Sequence, residues 1–189
     1  ILLAMATGTG KTKTCIALIY RLLKAQRFRR ILFLVDRSAL GIQAANSFKD
    51  TRMERLQTFA EIFGIKELQA QAADDDTAVH IATVQGMMRR VLFPADGVAP
   101  PTVDAYDCVV IDECHRGYTL DREMSDTELS FRGFDDYISK YRRVLDYFDA
   151  VKIGLTATPA LHTTEIFGPP VYTYSYREAV VDGYLVDYE

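Results

Sequence analysis

The sequence predicts an α/β domain with a mostly parallel sheet flanked by helices, and three observations carry that reading. Short apolar runs recur at Ile1–Ala4, Ile31–Val35, Val79–Ala82, Cys108–Ile111 and Val151–Leu155, each as long as a fully buried strand. Helical stripes alternate with them: Cys15, Ile16, Ile19, Leu22 and Leu23 early, then Tyr137, Ile138, Tyr141, Val144, Leu145 and Phe148 before the last run. The first run also leads directly into a glycine-rich turn that opens a helix, the join expected of a strand–loop–helix unit.

Taken in order, Ile1–Ala4 is the first strand and the stripe from Cys15 to Leu23 the first helix. Arg27, Arg29 and Arg30 follow that helix, where cations complement the negative end of its dipole, so they read as a cap or a solvated face. Ala70–Asp76, with three consecutive aspartates, and Phe93–Thr102, with three prolines and a glycine, read as surface loops. Near the C-terminus, Val171–Tyr176 alternates apolar or aromatic residues with Thr and Ser, as a half-buried strand does. Arg177–Val181 then reads as a short helix before Gly183.

Composition narrows the function classes. The chain of 189 residues has room for one domain, and 49% hydrophobic residues with 25% charged exclude a disordered polymer. A net charge of −4 argues against a protein that coats nucleic acid or membranes by bulk attraction. Residues 1–50 nevertheless carry +7 and residues 101–150 carry −6, which leaves room for a local basic face. Cys15, Cys108 and Cys114 are odd in number and lack C-x-x-C spacing, so they suggest neither a disulfide framework nor a zinc knuckle. No apolar run approaches the roughly 18–20 residues of a membrane span, and no charged segment precedes the first run. A cytoplasmic domain cut from a longer chain, without membrane contact, is the expectation.

The chemistry concentrates in three blocks. Ala6-Thr7-Gly8-Thr9-Gly10-Lys11-Thr12 sits between a strand and a helix, where glycines let backbone N–H groups converge on phosphate oxygens at the positive helix end. Lys11 would reach the β- and γ-phosphates of ATP, and the Thr12 hydroxyl would join a Mg²⁺ shell. The general pattern has Gly where this chain has Met5. Cys108–Ile111 then delivers Asp112 and Glu113 to the strand's C-terminal end, the ligand side of an open α/β sheet. Asp112 suits Mg²⁺, usually through water, and Glu113 suits polarising the water that attacks the γ-phosphate. Thr156-Ala157-Thr158 ends the last buried run at the same edge. Its hydroxyls are expected to bond the Asp-Glu pair, and His115 to link the nucleotide site to another element.

These blocks, in this order, resemble motifs I, II and III of superfamily 2 helicases and translocases. Asp36-Arg37-Ser38-Ala39-Leu40 with Gln43 resembles motif Ia, and Thr83-Val84-Gln85 resembles the threonine-bearing block that follows. Both blocks touch the nucleic-acid backbone in that superfamily, which implies DNA contacts for Arg37, Ser38 and Thr83. Asp112-Glu113-Cys114-His115-Arg116-Gly117 and the block from Phe167 to Leu185 look most like the R (restriction) subunit of type I restriction–modification enzymes. The resemblance implies a RecA-like P-loop NTPase fold over residues 1–189. It also implies ATP and Mg²⁺ as cofactors, ATP-driven movement of double-stranded DNA, and assembly with methyltransferase (modification) and specificity subunits. A nuclease domain before this segment and a second RecA-like domain after it, supplying an arginine finger, are further implications.

Two other readings stay open on the residues alone. One is a type III restriction subunit or another DEAD/DEAH-type superfamily 2 helicase; the other is a P-loop switch or scaffold that binds nucleotide without using it.

Overall fold

The computed structural model describes residues 1–36, 38–54, 57–67, 70, 76–115 and 134–187, the side chains of 134–139 excepted. Along the chain run β1 (Leu2–Met5), α1 (Lys11–Lys24), β2 (Ile31–Val35), α2 (Ser38–Asp50), β3 (Arg52–Glu54), β4 (Gln57–Thr58), α3 (Phe59–Ile62) and β5 (Gly64–Lys66). They are followed by β6 (Thr77–Thr83), α4 (Val84–Leu92), β7 (Cys108–Ile111), α5 (Phe134–Tyr147), β8 (Val151–Thr156), α6 (Leu161–Phe167), β9 (Pro170–Tyr174) and α7 (Tyr176–Val181).

Seven strands form one sheet in the order β5-β6-β2-β7-β8-β1-β9, and every pairing in it is parallel. Burial on both faces explains the unbroken apolar runs: in β2, all five residues are buried. Its Ile31, Phe33 and Val35 pack with Ile16, Ile19 and Phe48 of α1 and α2, while Leu32 and Leu34 pack with Met87 of α4 and Val144 of α5 on the other face. The result is a sheet between two helical layers. Edge-to-face contacts of Phe48 with Phe33 and with Phe59, at 5.5 and 4.9 Å between ring centres, lock α2 and α3 over β2.

Several boundaries differ from expectation for physical reasons. The third apolar run extends to Thr77–Thr83 because Gly64 pairs with Thr77 at one end and Val35 with Thr83 at the other. The last strand is Pro170–Tyr174, and its leading proline is tolerated on a sheet edge. Ser175 leaves the strand to cap α7: its hydroxyl accepts from the Glu178 amide, and the Glu178 carboxylate accepts from the Ser175 amide.

The arginine cluster is corrected at Arg30: helix α1 ends at Lys24 with Ala25 as its cap, Arg27 and Arg29 are exposed as a solvated face would be, and Arg30 instead ties the start of β6 to the loop before β7. Its Nε donates to Thr77 O at 3.3 Å and its Nη1 to Ala105 O at 3.4 Å, while the Asp107 carboxylate accepts from the Arg29 and Arg30 amides. Of the expected aspartate loop, residues 71–75 lie outside the described residues, as do the side chains of Tyr137 and Ile138. Among the described residues, no helix is long and apolar enough to cross a membrane.

Candidate active site

Strands β7, β8 and β1 are adjacent in the sheet, so their C-terminal ends bring the three motifs to one edge. After β1, Gly8 and Gly10 both adopt φ of 84°, a left-handed conformation that side chains with a Cβ rarely take. Gly10 is the N-cap of α1, and the Thr9 hydroxyl donates to Ala6 O at 2.6 Å, closing the loop on itself. Nothing lies within 4 Å of a β-carbon built on Gly10, so space is open beside the first turn. The amides of that turn have no helical acceptor, which leaves them as donors at the start of α1.

Lys11 is buried, with 8% of its surface exposed, and its Nζ lies 3.3 Å from Glu113 Oε1. Thr12 follows on the helix and is half-buried. The ion pair shows that Lys11 and Glu113 share one small volume, although they lie 102 positions apart in the sequence.

Glu113 is held in an unusual backbone state. Its φ is 49°, one of two positive values at non-glycine residues among those described. Hydrogen bonds on both sides impose it: Asp112 N donates to Leu34 O of β2, and Cys114 N donates to Leu155 O of β8. The Glu113 amide turns back to donate to Asp112 Oδ1 at 2.9 Å. Burial, followed by the neighbouring Glu113 charge, raises the pKa of Asp112 above the ordinary carboxylate value, opposed by that amide and by Lys11. Burial also pushes the Cys114 thiol up to about 12, so it is a protonated packing group.

His115 connects this strand end to the next. Its Nδ1 lies 2.8 Å from Thr156 Oγ1 and 3.5 Å from Glu113 Oε2. Thr156 is fully buried, and its Oγ1 also accepts from the Thr158 amide at 3.1 Å. The expected hydroxyl contact from β8 therefore reaches the carboxylates through His115 rather than directly. Thr158 takes part through its backbone, and its side chain is exposed.

Two of the residues expected at DNA, Ser38 and Thr83, sit farther along the same edge. Arg37 lies outside the described residues. Ser38 is exposed at the start of α2, just after β2, and Thr83 ends β6, whose partner in the register is Val35. Thr83 Oγ1 accepts from the Gly86 amide at 3.0 Å as the N-cap of α4, which leaves its hydrogen as a donor.

With this arrangement in view, the family described as "Type III restriction enzyme, res subunit" matches residues 1–161. The chain belongs to this family. Membership shows a helicase-type ATPase domain of the restriction-enzyme subunits, which implies nucleotide use. Over 187 residues the chain is 58% identical to the type I restriction enzyme EcoKI endonuclease subunit of Escherichia coli (strain K12), covering 99% of this chain and 16% of that protein. A solved fragment described as an HsdR subunit of a type I restriction enzyme from Vibrio vulnificus YJ016 superposes with a TM-score of 0.58 at 28% identity, covering 96% of this chain and 27% of that one. The Hef helicase domain of Pyrococcus furiosus, at 21% identity and a TM-score of 0.59, covers 92% of this chain and 34% of its own; it shares the RecA-like fold. The chain thus spans about a sixth of the EcoKI subunit's length.

Two site-supporting residues escape a reading of the sequence. Gly154 in β8 is required by close approach: a β-carbon there would lie 2.9 Å from Cys114 Sγ and 3.1 Å from the Phe167 ring. Leu185 reaches the phosphate loop, where a β-carbon on Gly8 would lie 3.3 Å from its Cδ2. The motif-like block from Phe167 to Leu185 is the one signal pointing to that contact.

Proposed function

We propose that this domain binds ATP with Mg²⁺ and hydrolyses it to drive movement along double-stranded DNA within a type I restriction complex. The observation that carries the reading is the line Lys11–Glu113–His115–Thr156, joined by contacts of 3.3, 3.5 and 2.8 Å at one sheet edge.

The donor set fits the nucleotide and its metal. Gly8 and Gly10 shape a cradle open to solvent at Gly10, Lys11 supplies a buried cation, and Thr12 and Asp112 supply the hard oxygen donors that Mg²⁺ prefers. When bound, the metal would neutralise charge on the β- and γ-phosphates. Thr7, Gly8, Thr9 and Gly10 would wrap the phosphates, and Lys11 would exchange its Glu113 partner for them. Glu113, released from Lys11, would orient the attacking water and accept its proton. His115 would pass the change at Glu113 to Thr156 and Thr158, hence to the segment after β8.

Ser38 and Thr83, with Arg37, supply sequence-independent phosphate contacts, as a motor requires. Residues 1–189 form one motor domain in this reading. It works with a second RecA-like domain of the same chain and with methyltransferase and specificity subunits, consistent with the 58% identity to the EcoKI subunit. The family's type III description favours a second reading, a type III restriction subunit.

The test uses the full-length protein. Duplex DNA is expected to stimulate ATP hydrolysis, Glu113→Gln to abolish turnover while ATP still binds, and a triplex-forming strand to be displaced from duplex. Full turnover by Glu113→Gln would overturn the role of Glu113. Unwinding of a forked duplex without triplex displacement would overturn the translocase reading.

A further inference from the structure

We infer that Leu185 contacts the nucleoside half of the bound nucleotide, on the side of the phosphate loop away from Glu113. The inference rests on the reading that the loop holds a nucleoside triphosphate.

Sheet order fixes the direction. The terminal phosphate must face Glu113 at the end of β7, and β8 stands between β7 and β1. The triphosphate is a linear tether, so a nucleotide whose γ-phosphate points towards β7 and β8 sends its ribose and base the other way, across the end of β1 towards β9. What lies there is the segment that follows α7. The β9 strand ends beside the loop, where the Ala6 amide donates to Tyr174 O at 2.9 Å, and α7 starts after a single intervening residue, Ser175. The chain then turns back, with the Tyr184 and Leu185 amides both donating to Ala179 O at 2.8 and 3.1 Å. The Tyr176 hydroxyl donates to Val186 O and closes the strap at its far end. This backbone is pinned, and it carries Leu185 onto Gly8.

The chemistry of the strap matches a nucleoside and not a phosphate. Residues 182–187 include no lysine or arginine but two aspartates, so they would repel a phosphate chain. Leu185 is half-buried with its Cδ2 against the loop at Gly8, and Val186 next to it is 84% exposed. An apolar shelf next to a phosphate cradle suits the faces of a ribose and a purine ring.

Paired equilibrium titrations of the intact protein, with Mg-ATP and with Mg-tripolyphosphate, test this, because the second ligand has phosphates and no nucleoside. Wild type is expected to bind ATP more tightly. Leu185→Ala is expected to weaken ATP by about threefold to tenfold, the loss of a few methylene contacts, with tripolyphosphate unchanged. Leu185→Met is expected to restore ATP affinity, which separates lost contact from misfolding. Equal weakening of both ligands would overturn the inference and leave Leu185 as a support for the loop; no weakening of either would also overturn it. Tripolyphosphate binding that survives Lys11→Ala would instead overturn the phosphate-loop reading itself.

Discussion

Lys11 and Glu113 neutralise one another at 3.3 Å, so the cation of the phosphate loop is engaged by the very carboxylate proposed to handle the attacking water. In the proposed function, nucleotide binding would break this pair. Glu113→Gln is therefore expected to bind ATP at least as tightly as wild type while its turnover falls by about 10²–10⁴-fold, the range for losing a positioned general base. Lys11→Ala should lose both binding and turnover. Equilibrium binding and single-turnover hydrolysis, measured side by side, check the pair; weaker binding by Glu113→Gln would refute the competition.

The bond between His115 Nδ1 and Thr156 Oγ1 gives a separate expectation. Thr156→Val keeps the shape of a fully buried side chain and removes the hydroxyl with its bonds to His115 and to the Thr158 amide, at a cost of about 1–3 kcal/mol. ATP affinity should be retained, and stimulation of hydrolysis by duplex DNA should fall. A variant stimulated as strongly as wild type would show that this bond carries no coupling.

His80 sets an acid limit on the fold. It is fully buried in β6, donates from Nε2 to Ala70 O at 3.2 Å and accepts from the Tyr106 hydroxyl at Nδ1, the roles that suit a neutral ring. Burial, and then the charge of Arg90, lowers its pKa from 6.5 to about 4. The unfolded chain takes up the proton first as pH falls, so the stability from the neutral ring is complete above about 6.5 and is lost on the way down to about 4. Up to about 3 kcal/mol is at stake, because each tenfold difference in proton affinity between the folded and unfolded chain is worth about 1.4 kcal/mol. Denaturant midpoints of wild type and His80→Asn at pH 7 and pH 5 check this: the asparagine variant should lose less stability between them.

Gly154 tests the packing under motif II. A methyl group there meets Cys114 Sγ at 2.9 Å and the Phe167 ring at 3.1 Å, so Gly154→Ala should destabilise by about 1–3 kcal/mol. Adding Cys114→Ala makes room and should recover part of that loss, which chemical denaturation of the single and double variants measures. Strict additivity would show that the two residues are not in conflict.

The central strands and the glycine loop are legible in the sequence because burial on two faces and phosphate chemistry each leave a dense local signature. Parallel pairing, by contrast, joins residues far apart in the chain, and no spacing along the sequence reveals that β9 lies against β1 or that Arg30 reaches Thr77 and Ala105. Strands β3, β4 and β5 are two or three residues long, too short for an alternation to register. The path from β8 to the carboxylates is legible in its parts, since the hydroxyls, the carboxylates and a linking His115 all show as residue types; which of them touch, Thr156 to His115 and His115 to Glu113, is a matter of distance. Leu185 is hidden for the same reason, since its partner is a glycine that lies 177 residues away in the chain.

The left-handed backbone of Glu113 sets durability against activity at a single position. A non-glycine residue in that region costs of order 1–3 kcal/mol, and asparagine or glycine would occupy it with less strain. Variants selected for heat resistance alone would thus drift towards replacing the carboxylate proposed to activate water, and a screen that scores survival without turnover would enrich well-folded, idle proteins.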